Sequence, residues 1–172
     1  MNLDRDIVQK HRQVYDYSCT PMGAELVLKL IKRVPEDYFE LQEATKNNPV
    51  TFADLDGRKI HDITFHMQFS VKHGRNFPPE KIAKLFETID AELDAGRYVI
   101  ISIANDPKNE AKGWHDFVIY DHAEKGEYRA VSKAFRPHGD FDHPEATWDR
   151  SDIRKMVEEM TGTDILTYDP IP

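Results

Sequence analysis

Cys19 is the only cysteine in the 172 residues, and the residues that follow it could make its thiol reactive. Thr20 suits the N-cap of a helix and Pro21 suits its first position, and apolar residues then recur at helical spacing as far as Ile31. A thiol at the positive end of a helix dipole, beside a cationic group, can have its pKa lowered from about 8.5 to about 3.5–7.5. A lone cysteine is more often a small buried residue, but this pattern predicts a thiolate nucleophile at Cys19.

Two further residues have side chains that acyl transfer to a thiolate requires. His115 stands at the head of an apolar segment and can share the proton of the thiol as a general base. Gln13 lies six positions before Cys19, a spacing at which its amide can return toward the sulfur and donate to an oxyanion. The backbone N–H of Cys19 is the other candidate donor. The pattern therefore predicts a cysteine and a histidine as the reacting pair, with Gln13 in the oxyanion hole.

The group that would orient the imidazole of His115 is less clearly marked. Asp121 lies six residues farther along the same predicted strand, about 20 Å away at roughly 3.3 Å per residue. Asp116 is adjacent to His115, but neighbouring residues of a regular strand point to opposite faces of the sheet. Neither aspartate is therefore expected to orient His115.

A hairpin after this strand supplies other candidates. If residues 123–126 form the turn, paired residue numbers sum to 249, which places Ser132 diagonal to His115. A serine hydroxyl can accept a hydrogen bond from the imidazole, more weakly than a carboxylate does. The following loop offers Asp140 and Asp142, and a site without a third side chain is the remaining alternative.

The helices and strands that must position these residues follow from the spacing of the apolar residues. The predicted helices cover residues 21–33, 36–46, 79–95 and 151–160, and the predicted strands cover residues 63–71, 98–103, 114–121, 128–135 and 164–168, the last as an edge strand. A helix first and antiparallel strands later indicate the α+β class. The length suits a single domain over residues 1–172.

Composition excludes several kinds of partner. The formal net charge of −8 argues against nucleic acid or an anionic membrane surface, and the sequence lacks the run of eighteen apolar residues that a transmembrane helix needs. The first residues lack the apolar segment of a signal peptide, which favours a cytoplasmic location. His61, His66 and His73 do not have the spacing of a helical metal pair. We therefore expect solvated histidines there, with no metal and no cofactor.

The motifs around Cys19 and His115 resemble those of papain-like cysteine peptidases. These enzymes carry Gln-x5-Cys at the start of a helix and, much later, a histidine at the head of a β-strand. The chain is most similar to the peptidases that process bacteriocin leaders and to their stand-alone relatives. The resemblance covers residues 10–32 and 90–135, with Thr20 in place of the glycine that usually follows the cysteine.

The resemblance implies a papain-like fold, in which the helix that begins near Cys19 packs on an antiparallel sheet that carries His115. It also implies hydrolysis of a peptide or amide bond in a peptide or protein substrate, through an acyl-enzyme on Cys19. The families it resembles place an aspartate or asparagine near the position of Ser132. A transglutaminase-like acyltransferase uses the same chain order of cysteine, histidine and acid, and a binding module that has lost the chemistry would account for the missing acid.

Overall fold

The chain folds into an antiparallel sheet with helices on both faces. The computed structural model describes residues 1–72, 78–104, 114–124, 126–133, 145–160 and 162–169. Within these ranges the helices are α1 (Arg5–Lys10), α2 (Cys19–Leu30), α3 (Glu40–Ala44), α4 (Phe52–Leu55), α5 (Pro79–Asp94) and α6 (Arg150–Met160). The strands are β1 (Lys59–Ile60), β2 (Ile63–Lys72), β3 (Val99–Ala104), β4 (Trp114–His122), β5 (Glu127–Val131), β6 (Ala146–Asp149) and β7 (Gly162–Tyr168). This mixture of helices and antiparallel strands confirms the predicted α+β class.

The order of the strands in the sheet differs from their order in the chain. They are hydrogen-bonded as β1-β2-β7-β3-β4-β5-β6, and each neighbouring pair is antiparallel. The prediction of β7 as an edge strand is wrong, because Leu166 pairs with Met67 of β2 on one side and with Ile100 of β3 on the other. The adjacent residues Ile165 and Leu166 are both fully buried, as expected for a central strand that is covered on both faces.

Buried apolar residues form a cluster on each face of the sheet. The cluster that includes α2 also contains Ile100 and Val118, and we call this side the α2 face. The cluster that includes α5 and α6 also contains Ile101 and Phe117, and we call this side the α5–α6 face. Successive residues of β3 and β4 thus belong to different clusters, as the two-residue period of a strand requires.

Helix α2 is enclosed by the rest of the protein. Every residue that follows Cys19 in this helix is buried, and Gly23 allows the helix to lie close to the sheet, since a Cβ there would lie 3.2 Å from Ile100 Cγ2. The burial includes two charged side chains, Glu25 and Lys29. Buried charged groups need partners inside the protein, so α2 has polar contacts to make as well as apolar ones.

The hairpin of β4 and β5 keeps the predicted register in the half nearest to the candidate site. Val118 pairs with Val131, so that the two numbers sum to 249, whereas His122 pairs with Tyr128 and the sum is 250. The shift of one residue falls at Tyr120. A bulge of this kind bends one strand locally, and the predicted pairing ends there.

The described ranges offer neither a membrane span nor a metal centre. None of their helices has both the length and the apolar character needed to cross a membrane, and no three of their histidine, cysteine or acidic residues are grouped so as to hold a metal ion. His61 is exposed, as expected, and its ring lies edge-on to Tyr38. His66 is half-buried and donates to Asp169 at 2.7 Å. His73 lies outside the described residues.

Candidate active site

Helix α2 begins at Cys19, two residues earlier than predicted. The segment before it, residues 12–18, is called the Cys loop below. Ser18 holds the N-cap position, and its carbonyl oxygen accepts a hydrogen bond from the N–H of Met22 at 2.8 Å. Thr20 lies inside the first turn, so the prediction that Thr20 caps the helix is wrong. The Cys19 thiol is at the helix N-terminus, as the sequence predicts.

Asp116 of β4 is the polar side chain that contacts the first turn of α2. It is fully buried, and its Oδ2 accepts a hydrogen bond from Thr20 Oγ1 at 2.5 Å. Burial raises the pKa of Asp116 to about 7, although the hydrogen bond from Thr20 acts in the opposite direction. A carboxyl with this pKa can gain or lose its proton near neutral pH.

The Cys19 thiol is close enough to the Asp116 carboxyl for the charge of that group to affect its pKa. Burial, followed by the negative charge of Asp116, raises the pKa of the Cys19 thiol well above its ordinary value, while the N–H and hydroxyl of Thr20 lower it. This shift is opposite to the predicted one, because a buried carboxyl lies where the prediction expects a cation. Cys19 is therefore a thiol at neutral pH, with a proton acceptor beside it.

His115 lies on the other face of β4. Its ring meets that of Phe117 edge-on, with the ring centroids 5.7 Å apart, and its backbone pairs with that of Ile103 on β3. Phe117 and Ile103 both belong to the cluster of the α5–α6 face. Neighbouring residues of a strand point in opposite directions. The side chain of Asp116 therefore faces Cys19, and that of His115 does not.

The imidazole of His115 is held by a backbone oxygen. Its Nε2–H donates to the carbonyl oxygen of Lys133 at 2.9 Å, which fixes the tautomer. Ser132, the predicted orienting residue, donates instead through Oγ to the backbone oxygen of Asp116 at 2.5 Å. Ser132 therefore links β4 to the end of β5 rather than contacting the imidazole. Two other predicted candidates lie outside the described residues: Asp140 and Asp142.

Gln13 is buried and bonded within the Cys loop. Its Nε2 donates to the carbonyl oxygen of Tyr15 at 2.8 Å and to that of Asp16 at 2.9 Å. Both hydrogens of the amide are therefore used inside the loop, and neither is directed at an oxyanion in this arrangement. The six-residue spacing from Cys19 brings the amide back to the loop backbone.

Two buried residues beside the Cys loop were not among the residues predicted for the site. Glu25 of α2 and Gln42 of α3 are fully buried and hydrogen-bonded to each other. Glu25 and Lys29 are charged residues one helical turn apart in an otherwise apolar helix, which is a signal that they have buried partners; Lys29 Nζ donates to His11 Nδ1 at 3.0 Å. No local pattern marks Gln42, because its partner is 17 residues away in the chain.

No model of a known protein family matches this chain, and no curated protein sequence matches it. The likeness to papain-like peptidases is therefore a motif-level resemblance at Cys19 and His115. The geometry at the start of α2 supports the function proposed for this chain.

Proposed function

We propose that this protein is a cysteine peptidase of papain-like fold, which hydrolyses a peptide or amide bond through an acyl-enzyme on Cys19. The observation that supports the proposal is the place of the buried Asp116 carboxyl at the N-terminus of α2, where it accepts a hydrogen bond from Thr20, the residue that follows Cys19. A nucleophile and a carboxyl that can accept a proton near neutral pH thus lie at the same end of the helix.

In the proposed chemistry, the Asp116 carboxylate accepts the thiol proton in the same step in which the sulfur attacks the carbonyl carbon of the scissile bond, because the raised pKa of Cys19 disfavours a free thiolate beforehand. The backbone N–H groups of Cys19 and Thr20, in the first turn of α2, are the proposed donors to the developing oxyanion. Asp116 then gives its proton to the leaving amine, and water hydrolyses the thioester.

The base in this proposal differs from the one predicted from the sequence. His115 would have to bring its ring to the α2 face before it could accept the proton of Cys19. Asp116 already lies on that face. Replacing each group separately distinguishes the two bases.

The experiment is digestion of a peptide library by the wild-type chain and by Cys19→Ala, Asp116→Asn and His115→Gln. We expect the wild type to cleave a defined subset, Cys19→Ala to cleave nothing, and Asp116→Asn to lose about 10²–10⁴ in turnover, the usual contribution of a general base. Loss of activity in His115→Gln but not in Asp116→Asn would make His115 the base. A wild-type chain that cleaves nothing would contradict the proposal.

A peptide-binding module without catalysis is the second candidate. Two observations favour it: the raised pKa of the Cys19 thiol and the use of both Gln13 amide hydrogens within the Cys loop. In that case the wild type and Cys19→Ala would bind the same peptides with equal affinity, and neither would cleave them. Binding measured by fluorescence anisotropy, beside the digestion assay, separates the two candidates.

A further inference from the structure

We infer that Glu25 and Gln42 are positioning residues for Cys19: the Glu25 carboxylate orients the Gln42 amide, and this amide holds both ends of the Cys loop. The inference rests on the proposed function, in which Cys19 is the nucleophile. Neither residue contacts the reacting atoms, so their effect on Cys19 would pass through the loop that precedes it.

Glu25 is fully buried in α2 and faces the start of α3. One carboxylate oxygen accepts a hydrogen bond from the backbone N–H of Gln42 at 2.9 Å, and the other accepts from Gln42 Nε2 at 2.7 Å. Burial raises the pKa of Glu25, and these hydrogen bonds lower it. Both oxygens act as acceptors, as expected of a carboxylate.

The Gln42 amide also forms hydrogen bonds with the Cys loop. Its Nε2 also donates to the carbonyl oxygen of Arg12 at 3.1 Å. Its Oε1 accepts from the N–H of Val14 at 2.8 Å and from Ser18 Oγ at 2.6 Å. The side chain, fully buried, therefore ties the first residue of the loop, its middle and its last residue to one amide.

The orientation of this amide depends on the group it faces. A carboxylate has acceptors only, so Nε2 must point toward Glu25, and Oε1 must then point toward the N–H of Val14 and the hydroxyl of Ser18. With the amide reversed, two donors of the loop would face the NH₂ group. An unpaired buried donor is costly, so Glu25 selects the orientation that holds the loop.

The loop in turn fixes the start of α2. Ser18 directly precedes Cys19, and its carbonyl oxygen accepts the first hydrogen bond of the helix, from Met22. Its N–H donates to the carbonyl oxygen of Tyr15 at 3.2 Å. When Gln42 no longer binds Ser18 Oγ, the N-cap can shift, and the Cys19 sulfur can move away from its buried position beside Asp116.

The test is the variant Glu25→Gln, which keeps the volume of the side chain and removes its charge. We measure the rate of Cys19 alkylation by iodoacetamide across pH 6–10. A loosened loop exposes the thiol and moves its pKa down toward the ordinary value, so alkylation at pH 8 is expected to rise by about tenfold for each unit of the shift. In a peptide-cleaving chain, turnover falls at the same time.

A double variant separates positioning from general damage to the fold. In Glu25→Gln with Gln42→Glu, the carboxylate stands at position 42 and accepts from Val14 and Ser18, while the amide at position 25 donates to it; only the hydrogen bond to the Arg12 carbonyl oxygen is lost, since a carboxylate has no hydrogen to donate. The alkylation profile is expected to return most of the way to that of the wild type. Ile153→Val, a buried change on the α5–α6 face, is the control, and its profile is expected to match the wild type.

Two results would overturn the inference: a Glu25→Gln profile that coincides with the wild-type profile, or a double variant no closer to the wild type than the single one. Alkylation does not require peptidase activity. A chain that cleaves no peptide but shows the shift and its rescue would therefore refute the proposed function while the loop network still controls Cys19.

Discussion

At the residue scale, the ionisation of Asp116 is expected to cost stability. Its pKa in the folded chain is about 7, above the 3.8 of an ordinary aspartate, so the folded state binds the proton more tightly between these pH values. The stability that the protonated carboxyl of Asp116 contributes is fully present below about pH 4 and is lost as pH rises through about 7. Each pKa unit corresponds to about 1.4 kcal/mol. Asp116→Asn is expected to show a smaller fall in the free energy of unfolding between pH 5 and pH 8, measured with urea.

Asparagine keeps an acceptor for the Thr20 hydroxyl and removes the charge, so the variant is expected to fold. Asp121→Asn on the same strand is the matched control, since its partly exposed side chain pairs with the N-terminal amine of Met1 at 2.9 Å. Equal pH dependence in the wild type and in Asp116→Asn would contradict the expectation.

The sequence identifies Cys19 at the start of a helix but not the group beside its thiol. The two-residue alternation of β4 correctly separates His115 from Asp116. It leaves undetermined which of the two faces α2, because that depends on how the helix packs on the sheet. A carboxylate inside an apolar strand segment is itself a signal, since a buried charge needs a partner.

At the scale of the elements, α1 and the Cys loop are joined to α2 through His11. Its Nε2–H donates to the carbonyl oxygen of Met22 at 2.9 Å, and its Nδ1 accepts from Lys29 Nζ at 3.0 Å. Burial, followed by the positive charge of Lys29, lowers the pKa of His11 to about 3. The unfolded chain therefore binds more protons between about pH 3 and 6.5. The stability that the neutral imidazole of His11 contributes is fully present above about pH 6.5 and is lost as pH falls.

His11→Gln is expected to reduce this sensitivity to acid. Glutamine supplies one donor and one acceptor, as the neutral imidazole does, but it does not titrate. Between pH 7 and pH 5 the wild type is expected to lose about 2 kcal/mol through His11, and the variant is expected to lose less, by urea unfolding at both pH values. His61→Gln, at an exposed position, is the control. A variant as sensitive to acid as the wild type would show that His11 is not the group responsible.

Most elements could be predicted because their signals are local. Gly96, which has a φ of +76°, follows the end of α5 and marks it in the sequence. The bulge at Tyr120 was not predictable, because neither Ile119 before it nor Asp121 after it is a glycine or proline that would mark an insertion. The second predicted helix is shorter in the structure, with α3 beginning only at Glu40.

At the scale of the whole molecule, β7 joins two parts of the sheet. It lies between the pair β1 and β2 and the group β3 to β6, so the last described strand of the chain completes the sheet beneath α2. The order of strands is set by contacts between distant segments. The apolar pattern of a strand therefore predicts its presence but not its place in the sheet.

Leu166→Pro tests this central position. Proline cannot donate to a ladder and is tolerated mainly in edge strands, and Leu166 is paired on both sides. We expect this variant to lose its cooperative thermal transition, or to melt far below Leu166→Ala, which removes the side chain but keeps the N–H. Lys59→Pro, on the two-residue edge strand β1, is expected to melt within a few degrees of the wild type. If Leu166→Pro melted no lower than Leu166→Ala, β7 would not depend on its backbone pairing, and a central place in the sheet would be contradicted.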